Sequence, residues 1–292
     1  MKLGRLALVP AGEFMMGTTD IHTGPGEDVR EVFVGTAAVA TTPITNHQFQ
    51  AFADEHGGDF SEWKVYATPD RNTHPAVCLS WADAMQYCTW LSDQTGIPHS
   101  LPTDMVWEKA ARGKLKQKLF PWGDELPTEK HMCWNRWSME IGTTPVETFP
   151  ANGYGIFDMA GNVWEWCQNG PESPEYRFRR GGAWNIGEPF RARCGNIGML
   201  FPHQRYPNMG ARVCIPFEEL SSEKRIEIAI HCVSQRVTTD GGVLQILSFT
   251  KNTLTLSMKG TCLICPKKAH SQEAVRTDLL AALPELQTIR FI

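Results

Sequence analysis

Long apolar runs are missing from this sequence. No stretch could cross a bilayer, and residues 1–10 hold no sustained apolar segment of the kind found in a secretory signal. Basic residues are also scarce, because 28 lysines and arginines face 32 aspartates and glutamates, which leaves a formal charge of -4. The basic run at Lys114, Lys116 and Lys118 is too short to neutralise a nucleic-acid backbone. We therefore expect a cytoplasmic protein that binds neither membranes nor nucleic acids.

Tryptophan is absent from the last third of the chain. All ten tryptophans lie between Trp63 and Trp184, and only three of the 25 glycines follow residue 216. A chain of 292 residues is also longer than a usual single domain. We therefore predict two domains, residues 1–216 and residues 217–292.

The nine cysteines do not suggest a disulfide framework. An odd count in a long chain without a secretory signal favours reduced thiols, most of them buried as small apolar side chains. In a reducing compartment, Cys262 and Cys265, which form a Cys-x-x-Cys pair, are free to bind a metal. This spacing alone fits a redox pair or half of a zinc site equally well.

Three helices are predicted before residue 113. Thr45 with Gln48, and Ser80 with Asp83, have the spacing of capping boxes, and a third helix is expected after Thr103. Beyond Gly113, glycine, proline and tryptophan recur every few residues. This composition predicts short strands and packed loops, anchored by buried tryptophans whose ring N–H groups bond to loop carbonyls.

Several motifs follow one another in a fixed order. They are Leu8-Val9-Pro10-Ala11-Gly12, His74-Pro75, Leu101-Pro102-Thr103, Trp107-Glu108, Asn162-Val163-Trp164-Glu165-Trp166, Arg180-Gly181-Gly182-Ala183-Trp184-Asn185 and Gly210-Ala211-Arg212-Val213. In this order, residues 3–215 resemble the formylglycine-generating enzyme superfamily. The resemblance implies an α+β, C-type-lectin-like fold with little regular structure.

The resemblance also implies where catalytic groups should lie. Enzymes of this type carry two cysteines after the Gly-Gly-Ser motif, and the thiolate pair binds copper(I), which activates oxygen. Counting from Gly181-Gly182-Ala183 places Ile186 and Arg191 at those positions, and Cys194 lies three residues too late and lacks a second thiol. We therefore expect no copper chemistry and, on balance, no catalysis.

Two other groups of residues are candidate sites in the first domain. Asn162 and Glu165 correspond to a calcium-binding segment of the family, although Asn162 could cap a turn and Glu165 could pair with an arginine instead. The segment from Trp184 to Pro207 could form a partner-binding surface or be merely an exposed loop. Its aromatic and guanidinium side chains are of the types enriched at binding hot spots: Trp184, Arg191, Arg193, Phe201, His203, Arg205 and Tyr206.

The sequence of the second domain predicts a helix, two strands, a further helix and a short last strand. Together with the Asp240-Gly241-Gly242 turn and Gly260-Thr261-Cys262, this order is similar to the small α+β C-terminal domain of NifU. The resemblance implies that Cys262 and Cys265 supply two of the four thiolates of a 4Fe-4S cluster. A second copy of the chain or a partner protein would supply the other two.

These expectations combine into one leading hypothesis and two alternatives. The leading hypothesis is a non-catalytic protein that recognises a client iron-sulfur protein, with nitrogenase or its assembly machinery as a candidate, and carries or senses a cluster. The first alternative is an oxygen- or metal-dependent modifying enzyme of the formylglycine-generating and sulfoxide synthase superfamily. The second is a structural adaptor that dimerises through the NifU-like domain.

Overall fold

Two antiparallel sheets contain the first strands of the chain. The computed structural model describes residues 3–24, 26–136, 142–239, 242–250, 252–260 and 268–292. Strands β1 (Leu6–Val9), β4 (Ala37–Ala40) and β9 (Cys214–Pro216) form one sheet in the order β1-β4-β9, and β2 (Gly12–Met16) pairs with β3 (Arg30–Val34) in the other. The pairing of β4 with β9 brings residues near the start of the first domain against its end.

The predicted helix caps are confirmed. Helices α1 (Asn46–His56) and α3 (Trp81–Thr95) each begin with a complete capping box, at Thr45 and Ser80, while α2 (Ser61–Lys64) is a single short turn. Thr103 caps α4 (Asp104–Arg112) by accepting a hydrogen bond from the backbone N–H of Val106. None of the helices in the described ranges is long and apolar enough to cross a membrane.

The middle of the chain is made of loops around a small mixed sheet. Strands β5 (Trp164–Trp166), β6 (Arg177–Arg180), β7 (Gly198–Leu200) and β8 (Met209–Gly210) are arranged in the order β7-β6-β5-β8. The predicted tryptophan anchors are present: the ring N–H groups of Trp166, Trp81 and Trp184 donate to the backbone oxygens of Leu79, Cys167 and Pro207. The loops are therefore held from inside, without long helices or strands.

The last part of the chain has the predicted order of elements. Helix α5 (Ser222–Thr239) precedes β10 (Gly242–Thr250) and β11 (Thr253–Gly260), and α6 (Lys268–Ala282) precedes β12 (Thr288–Phe291). Strand β11 lies in the middle of this sheet, antiparallel to β10 and parallel to β12. This order of elements does not by itself establish a NifU-like domain, because many proteins combine two helices and three strands in this way.

The two parts of the chain share one hydrophobic core. Leu6 and Leu8 of β1 belong to the same buried cluster as Ile228 of α5 and Leu279 of α6. The hydroxyl of Thr36 donates to the backbone oxygen of Ala282 at 2.8 Å, across the same boundary. Helices α5 and α6 therefore pack against β1, and the division into two domains at residue 216 stays a prediction.

We expect the Ile228→Ala substitution to destabilise the whole chain. Ile228 is fully buried in the shared cluster, and removing a buried aliphatic side chain of this size costs about 2–5 kcal/mol of unfolding free energy. Chemical denaturation followed by tryptophan fluorescence reports on the first part of the chain, because all the tryptophans lie there. The Ile21→Ala control removes a side chain that is 94% exposed and should have little effect. An unchanged tryptophan transition in Ile228→Ala would show that the two parts unfold independently.

Candidate functional site

A buried ion pair joins β5 to the end of the first part of the chain. Both side-chain oxygens of Glu165 accept hydrogen bonds from Arg212 at 2.7 Å, and the ring N–H of Trp107 donates to Glu165 Oε2 at 2.6 Å. Arg212 also donates to the backbone oxygens of Ala40 and Phe157. Because Glu165 and Arg212 are both excluded from water, each charge depends on the other for compensation.

A second buried network fixes β6 on α4. Arg180 donates to Glu108 Oε2 at 3.0 Å and lies 3.4 Å from Asp104 Oδ2. The other oxygen of Glu108 accepts from Arg112 and from the backbone N–H of Gly17. Glu108, Arg180 and Arg212 belong to the sequence motifs, but the sequence did not predict that Glu108 pairs with Arg180.

The contacts of Glu165 match the alternative to calcium binding, whereas Asn162 bonds to distant groups instead of capping a turn. Asn162 has a φ of 62°, accepts a hydrogen bond from Thr144 N, and donates to Thr144 O and to Asp158 Oδ1. Glu165 is paired with Arg212, as the alternative supposed. The polar atoms of both side chains are thus already engaged within the protein, and calcium binding here stays a prediction.

Asp158 is a buried acid without an ion pair of its own in the described residues. Its oxygens accept hydrogen bonds from the backbone N–H of Glu147 and from Asn162 Nδ2. Burial raises the pKa of Asp158 to about 6, a shift that these hydrogen bonds and the charge of Arg212 only partly offset. Asp158 therefore gains or loses its proton near pH 6, a pH at which the stability of the protein can be measured.

The described cysteines do not provide a copper(I) site. Cys194 is fully buried and unpaired, and burial raises the pKa of its thiol to about 12, as it does for Cys78 and Cys214. A soft metal needs thiolates, which such surroundings disfavour. Ile186 and Arg191, at the positions expected for the two ligands, offer no sulfur, so the residues present do not fit copper(I).

Other metal sites receive no direct support. The described ranges contain no group of three or more histidine, cysteine, aspartate or glutamate side chains placed to share an ion. Cys262 and Cys265 lie outside the described residues, and the iron-sulfur cluster expected there stays a prediction.

The segment from Trp184 to Pro207 is exposed only in part, which corrects two of the residues predicted to line its surface. Trp184 is 4% exposed because its indole is turned inward to bond Pro207 O, and Arg193 is 1% exposed because it pairs with Glu27 and Asp20. Neither is available to a partner. The other five are at least partly exposed, although Arg205 is paired with Asp83, and their role in partner binding stays a prediction: Arg191, Phe201, His203, Arg205 and Tyr206.

Strand β6 carries two arginines that the sequence analysis did not single out. The guanidinium of Arg177 lies 4.6 Å from the ring centre of Trp81, and that of Arg179 lies 4.6 Å from the ring centre of Trp164. The alternation of Arg177, Phe178 and Arg179 is the signal that could have revealed them, because alternate residues of a strand lie on the same face. Tyr176 stacks on Phe201 next to them, so this face adjoins the exposed part of the 184–207 segment.

Comparison with known proteins places residues 2–216 in relation to a described family. They match the model of the Sulfatase-modifying factor enzyme 1-like domain. A protein named formylglycine-generating enzyme from Thermomonospora curvata is 32% identical, over 72% of this chain and 88% of the relative. A mouse protein named inactive C-alpha-formylglycine-generating enzyme 2 is 30% identical, over 60% of this chain and 73% of the relative. The structure of PvdO from Pseudomonas aeruginosa is 27% identical, with a TM-score of 0.61 over 72% of this chain and 94% of PvdO.

These findings correct the leading hypothesis. Relatives named as formylglycine-generating enzymes favour a modifying enzyme over a non-catalytic factor that binds iron-sulfur clients. The comparisons thus favour the first alternative, and the expectation of no catalysis, which followed from the missing pair of cysteines, stays a prediction. The matched residues end at 216, so the comparisons do not support the NifU resemblance of the remainder.

We expect the Arg212→Leu substitution to cost about 3–5 kcal/mol of unfolding free energy, because it leaves the buried charge of Glu165 unpaired. The matched control is Arg5→Leu, which breaks a surface pair with Glu147 and should cost no more than about 1 kcal/mol. Denaturant titration of both variants measures the difference. Equal losses would mean that the Glu165–Arg212 pair does not hold the fold together.

The raised pKa of Asp158 predicts a specific pH dependence of stability. The folded state holds the proton of Asp158 up to about pH 6, whereas the unfolded state releases it near the ordinary value of 3.8. Unfolding free energy from this group is therefore highest below pH 3.8, falls as the pH rises, and levels off above pH 6, by about 2–3 kcal/mol in all.

The Asp158→Asn variant isolates this contribution. The unfolding free energy of the wild type minus that of the variant should fall across this pH range, on top of a constant offset for the altered hydrogen bonds. Denaturant titrations at several pH values measure this difference. A difference that stays constant or rises with pH would contradict the assignment.

Proposed function

The chain belongs to the Sulfatase-modifying factor enzyme 1-like domain family, and from this premise we propose that it is an enzyme that modifies a peptide or protein substrate in an oxygen- or metal-dependent reaction. The observation that carries the proposal is the relative named formylglycine-generating enzyme, which this chain matches over 88% of the relative's length. The name states an activity of that relative. Its transfer to this chain is our inference.

The buried scaffold supports this proposal. Two buried ion pairs, Glu108 with Arg180 and Glu165 with Arg212, anchor β6 and β5, and Arg180 also holds the loop that follows Gly181-Gly182. Arg180, for example, donates to the backbone oxygens of Cys194 and Asn196. A rigid support of this kind is what an active site needs, because small displacements of reacting groups reduce rates strongly.

The chemistry must differ from that of the copper-dependent relatives. Ile186 and Arg191 replace the two thiolates, and the buried Cys194 is not poised to take their place. We therefore assign no step to copper(I). One relative has a name that states it is inactive, so family membership alone does not secure activity and a direct assay is needed.

The substrate is proposed to bind along the exposed part of the 184–207 segment. Phe201 and Tyr206 are 37% and 41% exposed there, and the aromatic contacts of Phe201 with Tyr176 and His203 extend the apolar area. The ion pair of Arg191 with Glu188 spans 3.6 Å between two largely exposed side chains, so Arg191 is free to exchange partners. Such a surface suits an extended peptide, because aromatic side chains pack on it and arginines donate to its polar groups.

The proposal is tested by mass spectrometry of a peptide mixture. A proteolytic digest of cell protein is incubated with the purified full chain in air and under anaerobic conditions, with iron(II), with copper(I) and with no added metal. We expect a defined subset of peptides to change mass, and the change to require air, a metal, or both. Heat-denatured protein is the control.

The Cys194→Ala variant tests whether the reaction depends on the thiol of Cys194. Because Cys194 is buried and protonated, the variant should still modify the same peptides, provided that its thermal unfolding matches that of the wild type. Loss of modification in a folded Cys194→Ala protein would show that the thiol takes part in the reaction. No mass change in any arm with wild-type protein would contradict the proposed function altogether.

A further inference from the structure

A cleft between α1, α3 and the first strand of the chain has the size of a small-molecule site. Its volume is about 430 Å³, within the range of about 300–1,000 Å³ that is usual for such sites. None of the described residues that line it belongs to the 184–207 segment, so it is separate from the proposed substrate surface. Much of its wall is apolar and consists of Leu6, Ala40, Ile44, Ala51, Leu91 and Val213.

Tyr87 brings a hydroxyl to this cleft. Its ring belongs to an aromatic cluster, with its centre 6.0 Å from that of Phe49, 5.7 Å from Phe52 and 5.5 Å from Trp90, and the residue is only 4% exposed. Burial raises the pKa of the hydroxyl, which therefore keeps its proton. Within the described ranges this hydroxyl forms no hydrogen bond. A buried tyrosine normally has a partner for its O–H, so packing alone does not explain why a tyrosine is present here.

His99 brings a hydrogen-bond acceptor to the same cleft. Helix α3 ends before Gly96, and the backbone N–H of His99 donates back to the hydroxyl of Ser92 at 2.8 Å. The ring Nδ1 lies 2.7 Å from the backbone oxygen of Ile97, which can only accept, so Nδ1 carries the hydrogen. Burial lowers the pKa of His99 more than the bond to Ile97 raises it. Near neutral pH the ring is therefore uncharged, and Nε2 has a lone pair that no group in the described chain uses.

The charges at the cleft compensate each other. Arg5 and Glu147 form an ion pair, and their side chains are 57% and 33% exposed, which places the pair at the rim. The described lining residues include no other lysine, arginine, aspartate or glutamate. A charged ligand would therefore leave water without a free counter-ion, which is unfavourable. An uncharged ligand meets no such penalty.

We propose that this cleft binds an uncharged alcohol or phenol with an apolar body. The apolar body packs on the aliphatic wall, while the hydroxyl donates to His99 Nε2 and accepts from the hydroxyl of Tyr87. A hydroxyl suits both groups because it donates and accepts at one atom, and a phenol keeps its proton near neutral pH. Small-molecule sites typically combine apolar walls with a few polar groups of this kind.

Three probes of similar shape test this inference. The wild-type full chain is titrated with p-cresol, with p-xylene, in which a methyl group replaces the hydroxyl, and with the anion p-toluate, and affinity is measured by ligand-observed NMR. We expect p-cresol to bind about 10-fold more tightly than p-xylene, because only p-cresol satisfies the two polar groups. The anion should bind more weakly than p-cresol, because it loses its hydration without gaining a counter-ion.

Two variants remove the polar groups one at a time. Tyr87→Phe keeps the ring in the aromatic cluster and removes only the hydroxyl. His99→Asn removes the Nε2 acceptor, while its amide can still donate to the backbone oxygen of Ile97. Each variant should lose most of the preference for p-cresol over p-xylene, with little change in the affinity for p-xylene. Thermal unfolding confirms that each variant is folded.

Two further variants separate the cleft from the rest of the surface. Ala51 lies on the exposed side of α1 and lines the cleft, so Ala51→Leu should obstruct it and weaken the binding of both p-cresol and p-xylene without disrupting the helix. Tyr154→Phe is the matched control, because it removes a hydroxyl from a half-buried tyrosine that does not line this cleft. It should bind all three probes like the wild type.

The inference is overturned if the wild-type protein binds neither p-cresol nor p-xylene, binds both equally, or binds p-toluate most tightly. It is also overturned if the affinity for p-cresol is unchanged in either Tyr87→Phe or Ala51→Leu, because the ligand then lies elsewhere. None of these outcomes depends on the peptide-modification assay, so the small-molecule site and the proposed function can fail separately.

Discussion

The fold depends above all on the need to pair buried charges. Glu165 and Arg212 are both excluded from water, and neither could be tolerated there alone. Their contacts with Trp107, Ala40 and Phe157 tie α4, β4, β5 and a long loop to one point. Regular structure is sparse in this region, so the loops are held in place by directional side-chain hydrogen bonds and ion pairs rather than by long helices and strands. The 184–207 segment is held by another buried arginine, because Arg180 donates to the backbone oxygens of Cys194 and Asn196.

Local features of the structure could be predicted from the sequence, whereas features that join distant residues could not. Thr45 and Ser80 allow the starts of their helices to be predicted, because a capping box lies within four consecutive residues. The pairing of Glu165 with Arg212 spans 47 residues, and the sequence could offer it only as one of two alternatives for Glu165. Trp184 and Arg193 were assigned to a surface because their types are common in interfaces, but a loop sequence does not reveal which side chains turn inward. The leading hypothesis was wrong for a different reason: it gave a missing pair of cysteines more weight than the similarity of the whole first part of the chain to relatives named as enzymes.

The most direct test of this account compares the peptides of cells that produce the chain with those of cells from which its gene has been deleted. Quantitative mass spectrometry of the two proteomes should find a small set of peptides that carry a modification only in the first cells. Identical peptide masses in the two proteomes would contradict the central claim that this chain modifies a peptide or protein.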